Sequence, residues 1–159
     1  ITINDREVVK PALEKEQQTN APSCALQLVD GRLVTGKTSK LLGASAAALL
    51  NALKVIGNID DDVDIISSSV IEPIQKLKVN HMGSKNPRLH TDEILLSLSV
   101  SAVTNPIATL ALDGLSNLKG AQLHSSVILS PVDVTTLKKL GIDVTCEPKR
   151  QENSLYPSK

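Results

Sequence analysis

The clearest fold signal is the stretch Ala121–Cys146, AQLHSSVILSPVDVTTLKKLGIDVTC, because it has the pattern of a strand, a helix and a second strand. The predicted strands are Ala121–Leu129 and Ile142–Cys146. Ser130 is a preferred helix cap, and Pro131 stands at the first helical position, where its missing N–H is not needed. A strand, helix, strand unit forms a parallel pair with a right-handed crossover. The C-terminal third therefore predicts an α/β protein.

A hairpin is predicted near the other end of the chain. Two short apolar runs, Cys24–Val29 and Arg32–Thr35, flank the dipeptide Asp30-Gly31. Asp-Gly between two such runs is a strong signal for a tight hairpin turn. A first helix, with a bend or restart at Pro11, is expected before the hairpin.

Helices are predicted for the middle of the chain. A helix capped by Thr38 or Ser39 should run to Ile56, and Lys54 is its one charge after the first turn. A helix that is apolar nearly all round is usually buried, so we expect it to lie against the sheet. A helical insertion is expected at about residues 60–118.

Residues 92–104 fit two periods. Leu96, Leu98 and Val100 alternate with serines, which is typical of a strand. Thr91-Asp92-Glu93 is a good helix start, and the apolar residues also fit one helical face. We predict a helix here, and Asn105-Pro106 should begin the next one.

Together these elements predict a three-layer α/β/α sandwich with a mixed sheet of about four to five strands. One domain should cover residues 1–146, followed by a polar C-terminal tail at 147–159. Because the chain starts at Ile1 rather than Met, we expect a fragment of a longer protein.

Composition narrows the class of protein. Lys plus Arg and Asp plus Glu each number 17, so charge gives no case for binding nucleic acid. Phe and Trp are absent and Tyr156 is the only Tyr, which removes the stacking platforms of single-strand binders. No apolar run is long enough to cross a membrane. Cys24 and Cys146 follow no disulfide spacing, which predicts reduced thiols and a cytoplasmic protein.

The order of elements resembles the cytidine-deaminase-like fold with one helical insertion. Longer strings resemble the C-terminal domain of an uncharacterised bacterial protein family, over nearly the whole chain. These strings are DREVVKPAL, DGRLVTGKTSKLLGASAA, VIEPIQKLKV, NPRLHTDEILLSLSVSA, TNPIA, HSSVILSPVD and LGIDVTCEP. The resemblance implies longer full proteins, with an N-terminal portion as the partner of this domain. It implies no established function, although some members carry an ATP-dependent peptidase label.

Gly31–Thr38, GRLVTGKT, fits the phosphate-loop pattern GxxxxGK[ST] at every specified position. That loop must follow a strand and open a helix, so that its backbone amides can surround a phosphate. Here the variable residues are predicted to be the second hairpin strand, and Gly31 is explained by the turn. We therefore predict no nucleotide hydrolysis, and an ATP-dependent peptidase is the least favoured function.

A weaker anion site is predicted at the helix start Gly36–Ser39, from Gly36, Lys37, Thr38 and Ser39. Free amides and the helix dipole favour anions there, and Lys37 adds a positive charge. In the fold that the chain resembles, the ligand cleft lies between two helix N-termini, and Ser130 would begin the second. The expected ligand is a small anionic or phosphate-bearing compound, with a nucleotide as one alternative. The alternative is that Thr38 and Ser39 only cap the helix.

His90, Asp92 and His124 are the candidate catalytic residues. His90 and Asp92 form a dense polar cluster with Arg88, which we include among the ligand-binding candidates. A His base beside a carboxylate suits proton transfer. Ordinary capping of a helix start is the alternative, and it explains the acidic residues fully but does not explain Arg88 or His90. His124 lies within a strand, where a lone His is more often packed and hydrogen-bonded than catalytic.

No metal site or cofactor is predicted. Zinc deaminases need a His or Cys with a Glu at one helix start and Pro-Cys-x-x-Cys at the other. The second place holds Ser130-Pro131-Val132-Asp133, which keeps the proline but lacks both sulfur ligands.

Two classes of function remain open. The first is a ligand-binding domain within a larger enzyme. The second is a non-catalytic assembly domain that docks the N-terminal portion or forms a homo-oligomer. Convergence of Lys37, His90 and His124 in one cleft would favour the first class, and a broad exposed apolar face would favour the second.

Overall fold

The computed structural model describes residues 7–149, which contain six α-helices and four strands joined by turns and loops. The helices are α1 Val9–Thr19, α2 Ala44–Ile56, α3 Ser68–Lys76, α4 Thr91–Ser101, α5 Pro106–Asp113 and α6 Pro131–Lys139. The strands are β1 Ser23–Gln27, β2 Leu33–Lys37, β3 Gln122–Ser125 and β4 Asp143–Cys146. A π-helical turn, Leu77–His81, extends α3, and a 3₁₀ segment, Gly114–Leu118, follows α5.

The four strands form one mixed sheet in the order β2-β1-β3-β4. β1 is antiparallel to both of its neighbours, and β3 and β4 are parallel. The Ser130 hydroxyl accepts from the Asp133 amide at 3.3 Å and caps α6, which connects β3 to β4. The predicted strand, helix, strand unit is thus confirmed, while the cytidine-deaminase-like topology stays a prediction.

Helices pack on both faces of the sheet. On one face, Ala25 of β1 packs with Val8 and Ala12 at the start of α1. On the other face, Leu26 belongs to the main core, which also includes Leu49 of α2. Because side chains alternate along a strand, Ala25 and Leu26 must point to opposite faces. The architecture is an α/β sandwich, as predicted.

The hairpin forms where the sequence predicts it. Gly31 has φ +95°, a left-handed conformation that glycine adopts at little cost. The Asp30 carboxylate accepts from the Arg32 amide at 3.0 Å and closes the turn. In the resulting register Cys24 pairs with Gly36 and Ser23 pairs with Lys37.

The predicted start of the second helix is wrong. α2 begins at Ala44, and β2 continues to Lys37. The Ser39 hydroxyl accepts from the amides of Leu41 and Leu42, at 3.3 Å each, and so closes a turn rather than a helix. That turn leads into a short parallel bridge between Leu42 and Leu89, which delays the helix.

Gly36 lies where β2 touches α2. A Cβ at this position would overlap the backbone amide of Ala48 and lie 2.8 Å from the Ala44 carbonyl oxygen. The glycine therefore allows a helix and a strand to approach closely, and it does not belong to a phosphate loop.

The predicted helical insertion contains α3, α4 and α5. Residues 92–104 are mostly helical, as predicted, because Ile94 and Leu98 are buried on one helical face. Leu96 and Val100, which contributed to the strand-like alternation, are exposed on the opposite side of α4. Asn105 caps α5 by accepting from the Ile107 amide at 3.0 Å.

The predicted strand Ala121–Leu129 is too long, because β3 ends at Ser125. The Ser125 hydroxyl accepts from the Val127 amide and donates to the Val127 carbonyl, which turns the chain out of the sheet. Residues 147–149, placed in the predicted tail, contact the fold: Glu147 donates its amide to the Ser125 carbonyl at 2.9 Å. Residues 150–159 lie outside the described part. No helix within residues 7–149 is long and apolar enough to cross a membrane.

Candidate functional site

A cleft of about 210 Å³ lies where the starts of three helices meet. The first residues of α2 form one wall, and the starts of α4 and α6 form the others. Its lining includes Gly43, Ala44, Ser45, Arg88, His90, Ser130 and Asp133. The sequence predicted a cleft between two helix N-termini, and the structure places three there.

Four of the predicted site residues line this cleft: Thr38, Arg88, His90 and Ser130. Gly36, Lys37, Ser39, Asp92 and His124 are not among its lining residues. Lys37 pairs with Ser23 in the hairpin, in register with Ala25 two residues away, so its side chain belongs to the α1 face of the sheet. The cleft lies on the other face, beside α2.

His124 also belongs to the α1 face, because it pairs directly with Ala25. It is buried, its Nδ1 lies 2.6 Å from the Thr145 hydroxyl, and its Nε2 lies 2.7 Å from a Glu147 carboxylate oxygen. The structure thus favours the packed, hydrogen-bonded interpretation of His124. Lys37, His90 and His124 do not converge in one site.

The start of α2 lacks the usual caps. Its N-cap residue, Gly43, has no side chain, and no described residue accepts from the amides of Ala44 and Ser45. The Ser45 side chain, in a residue only 1% exposed, has no hydrogen-bond partner within residues 7–149. Buried backbone N–H groups are nearly always paired in native proteins, by protein, water or ligand.

The other two helix starts are capped by side chains. Asp133 Oδ1 accepts from the Thr91 amide at 2.9 Å and from the Thr91 hydroxyl at 2.7 Å, which caps α4. Glu93 accepts from the His90 amide at 2.8 Å and completes a capping box. Ser130 caps α6. Of the three helix starts, α2 is therefore the one that no side chain of the described residues caps.

Arg88 supplies a positive charge beside these donors. Its Nε donates to the Ser39 carbonyl, and no described residue accepts from its two terminal amino groups. The nearby Lys78 ammonium donates to the Arg88 carbonyl at 2.6 Å and to Glu93 at 2.8 Å. Since Glu93 neutralises Lys78, Arg88 is the cation left to attract an anion into the cleft.

Glu93 links these groups to His90. Burial alone would raise the pKa of Glu93, but hydrogen bonds from the His90 amide and the Lys78 ammonium lower it overall. His90 Nδ1 lies 3.3 Å from the same carboxylate, so the imidazole is oriented by a charged partner. Asp92 is not among the residues that line the cleft, and its Oδ1 is buried with no partner within residues 7–149.

Cys24 lies in the core beneath this region. Complete burial raises the pKa of its thiol to about 12, despite a hydrogen bond with Ser125 that lowers it. Cys24 and Cys146 are both free thiols, as predicted. Since the thiolate is the reactive form, Cys24 is inert in the folded protein. Within residues 7–149 no group of three His, Cys, Asp or Glu side chains is arranged to hold a metal ion.

Several cleft residues were missed by the sequence analysis, chiefly Ala44, Ser45 and Asp133. The usable signal was Gly43, a permitted cap directly before the long apolar run. Thr38 and Ser39 seemed the stronger caps by residue type, and nothing in the local pattern revealed the bridge to Leu89.

Fold and cleft define an α/β-sandwich domain with one uncapped helix start in a small polar cleft. Residues 4–156 match the family model described as "Domain of unknown function DUF1846, C-terminal". A UPF0371 protein of Corynebacterium glutamicum is 56% identical over 155 residues, covering 98% of this chain and 31% of its own length. A UPF0371 protein of Streptococcus pyogenes is 47% identical over 156 residues, with 98% and 32% covered.

The chain belongs to the UPF0371 family, in which it corresponds to the C-terminal DUF1846 domain. This confirms the resemblance to an uncharacterised bacterial family. The chain spans about a third of the length of the curated relatives it matches. The family has no established function.

Proposed function

We propose that this domain binds a small anionic compound at the start of α2. The observation that carries the proposal is a set of donors with no acceptor among residues 7–149: the amides of Ala44 and Ser45 and the Ser45 side chain. Arg88 lies in the same cleft with two amino groups that no described residue engages. Backbone amides at a helix start bind phosphate and carboxylate groups in many proteins, helped by the helix dipole.

The free-energy cost of donors without partners favours a bound ligand at the start of α2. A buried donor without a partner costs roughly 1–3 kcal/mol, and the described residues supply no acceptor for the amides of Ala44 and Ser45. An oxyanion could accept from all of them at once. Charge-assisted bonds of this kind are about twice as strong as neutral ones.

The volume of the cleft limits the size of the ligand that it can hold. At about 210 Å³ the cleft is smaller than the roughly 300–1,000 Å³ of sites for drug-sized molecules. A nucleoside triphosphate would exceed it. The part of a ligand that the cleft encloses is therefore small, with one phosphate or carboxylate group.

Isothermal titration calorimetry tests the proposal, with inorganic phosphate, sulfate and acetate as probes. We expect at least one anion to bind, and Arg88→Gln to weaken it about tenfold or more, because a charge-assisted bond is lost. Ser45→Ala should weaken binding less, since it removes one side-chain donor and leaves the amides in place.

Two variants serve as matched controls. Arg32→Gln removes the same charge on the exposed hairpin, and Ser99→Ala removes a hydroxyl from the outer side of α4. Both should bind the probe as the parent does. The proposal would be contradicted if none of the three anions binds. It would also be contradicted if Arg32→Gln and Arg88→Gln reduce the affinity for the probe equally.

His90 is the predicted proton-transfer residue that the proposal keeps. It lines the cleft, and its Nδ1 faces Glu93, so no described residue engages Nε2. Oriented imidazoles of this kind act as general bases when a ligand proton lies within hydrogen-bond reach. His90→Gln should leave anion affinity within about twofold while abolishing turnover in any reaction found for the full-length protein.

A second proposal is assembly, carried by an apolar face on α4, the turn after it and α5. This α4–α5 face consists of Leu96, Val100, Val103, Ile107 and Leu110, of which Val103 is 82% exposed. Exposed apolar patches mark interaction sites. We propose that it packs against the N-terminal portion of the longer family proteins, because two thirds of their length lies outside the match.

Sedimentation and hydrogen exchange test this second proposal. This chain should sediment as a monomer, and α4–α5 amides should exchange more slowly in a full-length relative than in this domain. Concentration-dependent dimers that Val100→Glu dissociates would instead identify a second copy as the occupant.

We further propose a cytoplasmic location, supported by the free thiols Cys24 and Cys146.

A further inference from the structure

Asp133 carries an unused acceptor in the same cleft. It is only 5% exposed and lines the cleft from the first turn of α6. Its Oδ1 holds both Thr91 donors, whereas no described residue donates to Oδ2. An ionised carboxylate accepts about four hydrogen bonds, and a buried one is normally paired with a cation.

The cleft is therefore bipolar. Amides and Arg88 at the α2 side favour an anion, while Asp133 at the α6 side repels a purely anionic ligand. Neither the Arg88 side chain nor any other described cation forms an ion pair with Asp133. A ligand with an acid group at one end and a protonated amine at the other would satisfy both sides at once.

We propose that the ligand is a small zwitterion, an amino acid or an aminoalkyl phosphate, whose ammonium group donates to Asp133 Oδ2. This rests on the proposed function, because the acid end occupies the α2 start. The volume of about 210 Å³ fits such compounds and leaves little room for larger substituents.

The test compares ligands that differ only in replacement of the ammonium group by methyl. The pairs are O-phosphoethanolamine with propyl phosphate, and β-alanine with butyrate, each titrated by calorimetry into the parent chain. We expect the ammonium member of at least one pair to bind tenfold or more tightly. 2-Hydroxyethyl phosphate, which carries a neutral donor, should bind between the two phosphate compounds.

Asp133→Asn is the matched variant. Its side-chain oxygen can still accept from Thr91, so the α4 cap is retained, but an NH₂ group replaces the free oxygen. We expect the preference for the ammonium member to fall to within about twofold, while inorganic phosphate binds as well or better. A melting temperature close to that of the parent confirms that the cap is intact.

The outcomes separate this inference from the proposed function. If no member of either pair binds and phosphate does not bind, the anion site itself fails. If the parent binds both members of each pair equally, the anion site stands and the zwitterion inference is overturned. Tighter binding of 2-hydroxyethyl phosphate than of O-phosphoethanolamine would also overturn it. These comparisons use the parent chain, so the conclusion holds even if Asp133→Asn does not fold.

Discussion

Gly36→Ala tests whether Gly36, in the stretch Gly31–Thr38 that fits the phosphate-loop pattern, serves packing or ligand binding. The added Cβ would overlap the Ala48 amide and lie 2.8 Å from both the Ala44 carbonyl oxygen and the Ala47 carbonyl carbon. All three contacts are backbone, so no side chain can rotate away. α2 would have to move by about 1 Å to restore ordinary carbon contacts of roughly 3.5 Å.

The expected magnitude follows from what that movement disturbs. α2 buries eight residues, including Leu49 and Leu53, and a shift of the helix loosens their packing. Overpacking a core costs about 1–3 kcal/mol, and contacts with rigid backbone place this case near 3 kcal/mol. For a chain of this length that corresponds to a melting temperature lower by about 6–12 °C.

Urea unfolding and thermal melts followed by circular dichroism measure this change. Gly43→Ala is the control, because a Cβ there lies 3.8 Å from its nearest neighbour, the Leu89 carbonyl oxygen. Its stability should change by less than about 1 kcal/mol, since the residue has φ −69° and no crowding.

Two results would contradict close packing of β2 against α2 at Gly36. If Gly36→Ala melts within about 2 °C of the parent, β2 and α2 do not meet at Gly36 as described. If it keeps its stability but loses phosphate binding, Gly36 is a ligand residue, as the sequence pattern predicted, and the packing explanation is wrong.

Three further predictions concern titration and the opposite face of the sheet. Because the pKa of Cys24 is raised from 9.0 to about 12, its contribution to stability is present below pH 9.0 and is lost above it, by about 1.4 kcal/mol per pH unit. Urea unfolding on either side of pH 9.0 should show this fall, and an equally steep fall in Cys24→Ala would contradict it. Because the pKa of Glu93 is lowered from 4.5, its contribution is present above pH 4.5 and is lost as pH falls through the folded value. Melting temperatures of Glu93→Gln should therefore vary less with acid pH than those of the parent, and parallel curves would count against the Glu93 contacts. His124→Ala should lower the free energy of unfolding by about 2–4 kcal/mol, since it leaves a cavity and removes the bond to Glu147. The affinity of His124→Ala for phosphate, measured by calorimetry, should stay within about twofold of that of the parent. A larger loss would indicate that His124 belongs to the binding site after all.

Turn and capping preferences were sufficient to predict those features that depend on residues only a few positions apart in the sequence. The Asp30-Gly31 turn, the Asn105 cap and the Ser130-Pro131 helix start each depend on neighbours a few residues away, and each forms as predicted. The parallel pair of β3 and β4 followed from the helix between them, because a helical crossover returns the chain to the end of the sheet where the first strand began. Periodicity also identified the helical character of residues 92–104, despite the competing alternation.

The site depended on contacts between distant parts of the chain. Ser39 has the residue type of a helix cap, but the bridge from Leu42 to Leu89, forty-seven residues away, turns it into a loop residue and moves the helix start to Ala44. Hairpin register places Lys37 on the α1 face, and only the assembled sheet separates it from the cleft.

Sequence alone determined the α/β class, the hairpin, the capped helices and the membership of an uncharacterised family. The folded arrangement was needed to show which helix start lacks a side-chain cap among residues 7–149 and which polar groups line the cleft. Capping and turn preferences act over a few residues, whereas the amides of α2 and Asp133 Oδ2 lack partners among the described residues because of how distant segments pack.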